Sequence, residues 1–291
     1  MKLTDGGIET VLIFDEGIQL PCFAAFHLLR TAEGTEALRA YYEPYLELAR
    51  EHGMPFVLCA PTWRSSPDWG RQLGYAPQQL AEANRRAVEL MHEMRAANPD
   101  LEIVVDAVIG PRGDGYLVGE VMTAPEAEAY HAVQIAALTG ADTLTALTLT
   151  YADEAIGIVR AARAAGLPVV VSFTVETDGR LPSGEPLRDA IERTDAEAAP
   201  DSFMVNCAHP EHFADVLDGD WAHRIRGVRA NASRKSHAEL DVAATLDTGD
   251  PAELGALYAQ LRQRLPQLEL VGGCCGTDHR HIAAIAEACN P

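Results

Sequence analysis

Leu268-Glu269-Leu270-Val271-Gly272-Gly273-Cys274-Cys275-Gly276-Thr277 is the stretch on which the fold turns. Its apolar run, Leu268–Gly273, predicts a strand, and the end of that strand passes directly into two adjacent cysteines flanked by glycine. Working back toward the N-terminus, similar runs predict strands at Lys2–Asp5, Phe56–Thr62, Glu102–Gly110, Thr143–Thr150, Val169–Val175, Ser202–Cys207 and Gly227–Asn231. Between them, helical periodicity predicts helices at Gly34–His52, Pro77–Asn98, Ala124–Thr139, Asp153–Ala165, Leu187–Ala198, Glu211–Leu217, Pro251–Leu265 and Asp278–Ala288. Such alternation marks βαβ units in a parallel sheet. It fits either a closed barrel or an open doubly wound sheet. In a barrel the loops after all strands meet at one face, so unusual residues should collect at strand C-termini along the whole chain. That is the pattern here. Asp5-Gly6-Gly7 follows the first strand, Trp63 the second, Cys207 ends the sixth, Asn231 the seventh, and Cys274-Cys275 follows the eighth. The expectation is an α/β protein with a (β/α)8 TIM barrel, formed as a single domain over residues 1–291; no Ser/Gly-rich linker or low-complexity tract divides it.

Composition excludes several classes of function. With 23 Lys plus Arg against 43 Asp plus Glu, the net charge of -20 repels polyphosphates and anionic lipid surfaces. No nucleic acid or membrane partner is expected. No apolar run approaches the ~20 residues a membrane helix needs. The start, Met1-Lys2-Leu3-Thr4-Asp5, lacks the apolar stretch of a signal peptide, which predicts a chain that begins here and works in the cytoplasm. Nothing in the sequence excludes a homo-oligomer.

In that compartment the six cysteines are not expected to pair as disulfides. Adjacent strand residues point to opposite faces, so Cys274 and Cys275 can share a metal only where the backbone turns sharply. Gly272, Gly273 and Gly276 are expected to permit that turn. Zinc takes four ligands, so the pair needs a further protein donor, and Cys207 in Val205-Asn206-Cys207 ends a strand at the same face. Three thiolates on Zn2+ with an open fourth position make a catalytic site suited to a thiol. A thiol entering it would lose its proton and keep a nucleophilic sulfur. Cys22, Cys59 and Cys289 lack such surroundings and are assigned to packing.

These residues resemble the homocysteine S-methyltransferase family. The likeness is carried by Asp5-Gly6-Gly7-Ile8-Glu9-Thr10, Gly110-Pro111, Ser172-Phe173-Thr174, Asn206-Cys207 and, most specifically, Gly272-Gly273-Cys274-Cys275-Gly276. It implies a zinc-bearing barrel that moves a methyl group from a small onium donor, of the S-methylmethionine or S-adenosylmethionine type, to homocysteine or a related thiol or selenol. It also implies zinc on Cys207, Cys274 and Cys275, with the substrate amino acid held near Asp5 and the amides of Gly6 and Gly7. Two positions depart from the family pattern. Leu147 stands where an acidic residue normally receives the substrate amine, so either the acceptor differs or another group such as Asp5 or Glu176 holds the amine. Trp63 stands where a tyrosine is common near the metal; it is either a rim aromatic or a face for the cationic donor.

Asn206 and Asn231, at strand ends, are candidates to donate to a thiolate or hold a substrate carboxylate. His209, His279 and His281 read as capping or surface groups, the last two in the first turn of an exposed helix. Thr277 reads as that helix's cap. A metal-dependent hydrolase would need a His-x-His pair after the first strand, where Asp5-Gly6-Gly7 stands. The remaining alternative is a zinc-binding or thiol-sensing barrel without methyltransferase activity.

Overall fold

The computed structural model describes residues 1–290; Pro291, the last residue of the expected domain, lies outside the described residues. Its strands are β1 Lys2–Leu3, β2 Phe56–Cys59, β3 Ile103–Ile109, β4 Thr143–Leu149, β5 Val169–Phe173, β6 Ser202–Asn206, β7 Ile225–Ala230 and β8 Leu270–Gly273. They are parallel and close in sequence order, with Leu3 paired to Phe56 on one side and to Val271 on the other. The fold is therefore the (β/α)8 barrel the positions of the unusual residues implied. A principal helix follows each strand: α1 Ala32–Glu51, α2 Pro77–Ala97, α3 Ala124–Leu138, α4 Ala152–Ala164, α5 Leu187–Ala198, the short α6 Pro210–Phe213, α7 Pro251–Arg264 and α8 His279–Cys289, with further short helical turns at Ile8–Thr10, Pro67–Gln72 and His237–Asp241. Among the described residues no helix is long and apolar enough to cross a membrane.

The apolar strands sink into a continuous core, as strands covered on both faces must. Phe56, Val105, Leu144, Val171, Phe203, Val228 and Val271 all belong to it. Local chemistry starts the helices: Thr31 accepts from the Gly34 amide to open α1, and Asp250 accepts from the Ala252 and Glu253 amides before Pro251 opens α7. For α8 the expected cap is corrected by one residue. Asp278 accepts from the Arg280 amide, while the Thr277 hydroxyl donates to the Cys274 carbonyl at 2.7 Å and stiffens the cysteine turn.

Several strands end sooner than the apolar pattern suggested, and residues just beyond them turn their side chains to partners at the barrel's C-terminal face. Asp5 is the clearest case. Its carboxylate, buried beyond β1, accepts from Arg229 of β7 at 2.8 Å, from Thr4 at 2.9 Å and from Tyr41 of α1 at 2.9 Å. Arg229 also donates to the carbonyls of Gly273 and Gly6 and to the Cys59 sulfur. One buried ion pair thus ties β7 and β8 to the first loop across the seam where the barrel closes.

Candidate active site at the mouth of the barrel

Residues at and beyond the ends of β1–β4 and β6–β8 line a cavity of about 190 Å³, the scale of a small molecule rather than a polymer. Cys207, Cys274 and Cys275 share its wall, their sulfurs all within 4.8 Å of one another. The Cys207 and Cys275 sulfurs are 3.5 Å apart. Tetrahedral zinc, with sulfur at about 2.3 Å, requires sulfurs about 3.8 Å from each other. The donor set and its spacing therefore fit zinc. Among the thiols themselves, hydrogen bonds from Cys207 and Cys275 pull Cys274 well below the usual thiol range, with Arg229 assisting, while donation to its neighbours pushes Cys207 up.

The turn that brings the vicinal pair together is built differently from expectation. Only Gly276 has a left-handed backbone, at φ 78°. Gly272 and Gly273 are regular strand residues. A Cβ on Gly273 would lie 2.0 Å from the Thr277 hydroxyl oxygen, so this glycine serves close approach rather than turning.

Cys207 reaches the cluster at an energetic cost. Its φ of 57° is left-handed, as is that of Thr148, at 64°, across the cavity. Side chains hold both in place. The Cys207 carbonyl accepts from His237 Nε2 at 2.8 Å, from Asn231 Nδ2 at 3.0 Å and from the Thr174 hydroxyl at 3.2 Å. Asn206 accepts from the Thr148 amide and donates to its hydroxyl, and its amide lies 3.8 Å from the Cys274 sulfur. Glu176 does not line the cavity; it sits 2.9 Å from His237 Nδ1, on the far side of that ring. Asn231 likewise supports Cys207 from behind.

Asp5, Gly6, Gly7, Trp63 and Asn206 do line the cavity. Asp5 already accepts from Arg229, Thr4 and Tyr41, so a substrate would share it with these donors, and the Gly7 amide is taken by the Thr277 carbonyl. Trp63 carries the Arg64 guanidinium over its ring at 4.3 Å, which occupies one face. Leu147 is buried in the wall with Val57, Cys59 and Val108. Cys59 does pack there, but its sulfur also faces the cavity and Arg229 at 3.2 Å.

Sequence reasoning passed over four residues. Tyr116, in the loop after β3, stacks on His237 with ring centroids 4.0 Å apart and places its hydroxyl 3.3 Å from the Cys207 sulfur. The tyrosine expected at Trp63 thus arrives from another loop. His237 and Tyr116 meet only through the fold, so no local pattern marked them. Arg229 could have been found as a charge inside the apolar run Gly227-Val228-Arg229-Ala230. Glu9, four residues beyond Asp5, lines the cavity and is pushed up to about 7 by burial. Of the three histidines read as capping or surface groups, His209 caps α6 and His279 is exposed, whereas His281 is buried between Asp278 and the Thr248 carbonyl.

Comparison with known proteins agrees with this picture. Residues 2–289 match the family model described as homocysteine S-methyltransferase. The chain is 32% identical over 143 residues to methionine synthase of Mycobacterium leprae (strain TN), a match covering 46% of this chain and 11% of that protein's length. Crystal structures of the homocysteine methyltransferase MmuM from Escherichia coli superpose over 99% of the chain at 22% identity. The metallated form gives a TM-score of 0.76 over 96% of its own chain, and the oxidized form gives 0.76 over 95%.

Proposed function

Because the chain belongs to the homocysteine S-methyltransferase family, we propose that it is a thiol methyltransferase. It carries a methyl group from a small onium donor to the thiolate of homocysteine or a related thiol, with zinc held by Cys207, Cys274 and Cys275. The observation that carries this reading is the convergence of those three sulfurs, from two barrel loops, on the wall of one small cavity. Bound zinc would supply a Lewis-acidic position at which an incoming thiol gives up its proton. The remaining work falls to the protein. Tyr116, Asn231 and His237 fix Cys207, while Asn206 lies within reach of Cys274. The cavity walls would align thiolate, methyl carbon and leaving atom, the alignment on which an in-line displacement depends. In the transfer, the thiolate sulfur forms a bond to the methyl carbon as the bond from that carbon to the onium atom breaks. The electron pair stays with the donor, which leaves as a neutral molecule.

The cavity's charge supports an onium donor. Asp5, Glu9, Asp114 and Asp241 line it against only Arg64 and Arg229, which pair with Asp114 and Asp5. The test is to incubate zinc-loaded protein with homocysteine and, separately, S-methylmethionine, S-adenosylmethionine and betaine, following methionine by mass spectrometry. Turnover with a sulfonium donor, abolished in Cys207→Ser, Cys274→Ser and Cys275→Ser while circular dichroism is unchanged, is the expected result. Absence of methionine with every donor would favour the thiol-sensing alternative. X-ray absorption at the zinc edge should give about one ion per chain with a sulfur-dominated shell; a nitrogen- or oxygen-dominated shell would refute the site.

A further inference from the structure

Among the described residues, two carboxylates that line the cavity have no ion-pair partner, the exposed Asp241 and Glu9, and only Glu9 is drawn out of water. Glu9 lines it from the loop after β1 and is half-buried, and among the described residues its carboxylate enters no ion pair and no side-chain hydrogen bond. The other charges of the inner wall are spent on each other: Arg229 on Asp5 and Arg64 on Asp114. Withdrawing a carboxylate from water without a partner is unfavourable, which is why Glu9 holds its proton up to about pH 7; a cation seated beside it would favour the ionised form instead. The apolar part of the wall, on β2, β3 and β4, cannot supply one. There Leu147, Val57, Cys59 and Val108 form an apolar surface, with Trp63 packed against it. A ligand whose sulfur sits at the three cysteines therefore meets hydrocarbon on the β4 side and a free carboxylate on the β1 side.

We propose that Glu9 receives the positive charge of a substrate, either the α-ammonium of an amino-acid thiol or the onium centre of the methyl donor. This rests on reading the cavity as the methyl-transfer site. It gives the chain a cation receptor on the first loop, in place of the acidic residue absent at Leu147. It also explains why an acceptor with an amino group remains compatible with a leucine there.

Three small ligands separate the possibilities by direct calorimetric titration, without turnover. L-methionine carries the ammonium alone, dimethylsulfoniopropionate the sulfonium alone, and 4-(methylthio)butanoate neither. Glu9→Gln removes an unpaired charge while keeping shape, so its fold should be at least as stable as that of the parent, which thermal melts verify. The expected result is a loss of about tenfold or more in affinity for one cationic ligand with 4-(methylthio)butanoate unchanged. Loss confined to L-methionine identifies the ammonium, and loss confined to dimethylsulfoniopropionate identifies the onium centre. Equal changes for all three ligands, no change for any, or a parent protein that favours neither cation over 4-(methylthio)butanoate would each overturn the assignment. A protein that binds a cation through Glu9 yet forms no methionine would refute the proposed reaction and leave the role of Glu9 standing.

Discussion

Asp106 sits in the middle of β3, 2% exposed, accepting from the Thr143 hydroxyl at 2.6 Å. Burial pushes its carboxyl up to about 6, against the opposing effect of the Thr143 hydrogen bond. The folded protein therefore holds this proton more tightly than the unfolded chain, whose aspartates titrate near 3.9. The stabilisation is complete below about pH 4, is lost as pH rises through about 6, and amounts to roughly 2–3 kcal/mol. Asp106→Asn should abolish that slope. In urea titrations between pH 4 and pH 8, the variant should gain on the parent up to about pH 6 and keep a constant lead above it; parallel curves would contradict the linkage. Asp106 and Arg229 were both visible as charges within apolar strands, yet apolar periodicity alone gives no reason to single them out. What makes them matter is the barrel interior, where Arg229 meets Asp5 from 224 positions away in sequence.

At the level of strands and loops, the cysteine motif was legible because its chemistry is local, whereas the apparatus that aims it was not. Cys207 adopts a left-handed backbone that a residue with a Cβ avoids, and its carbonyl is held by donors from the β5 end and from two positions beyond β7. His237 is the most exacting of these, since its ring bridges the Cys207 carbonyl at Nε2 and the Glu176 carboxylate at Nδ1. Removing it should free Cys207 to relax without disturbing the core. For His237→Ala, competition with a zinc chelator should read a metal affinity weaker by roughly 10–100-fold, with unchanged far-ultraviolet circular dichroism. Glu176→Gln, which keeps a hydrogen-bond acceptor beside the ring, should fall between the parent and His237→Ala. Unaltered affinity in His237→Ala would mean that Cys207 holds its conformation without this support. The helix boundaries show a similar division. Asp250-Pro251 announces its helix, while Thr277 and Asp278 are both plausible caps until the cysteine turn claims the threonine hydroxyl.

For the whole molecule, the alternation of strand and helix gave the architecture, and the strand-end residues decided between a closed barrel and an open sheet. At the C-terminal rim the closed barrel is also bridged by the Arg229–Asp5 pair, 7% and 2% exposed at the side chains. Pairs of this kind need not stabilise relative to apolar replacements, but breaking one leaves a buried charge uncompensated. Arg229→Met should therefore cost about 3–5 kcal/mol, on the order of 6–10 °C in melting temperature for a chain of this length. The double variant Asp5→Asn with Arg229→Met removes the orphaned charge and should recover a large part of that loss. Neither change removes a thiol, although losing Arg229 withdraws a charge that favours the Cys274 thiolate; Cys207→Ser should leave the melting temperature of the chelator-treated protein nearly unaltered, because the core is continuous without the metal site. Differential scanning calorimetry of these variants, all measured after chelation, separates the two contributions. If Arg229→Met melted with the parent, or the double variant fell further than the single, the seam would be held by strand pairing and core packing alone, and the buried pair would have to be explained by the site it borders.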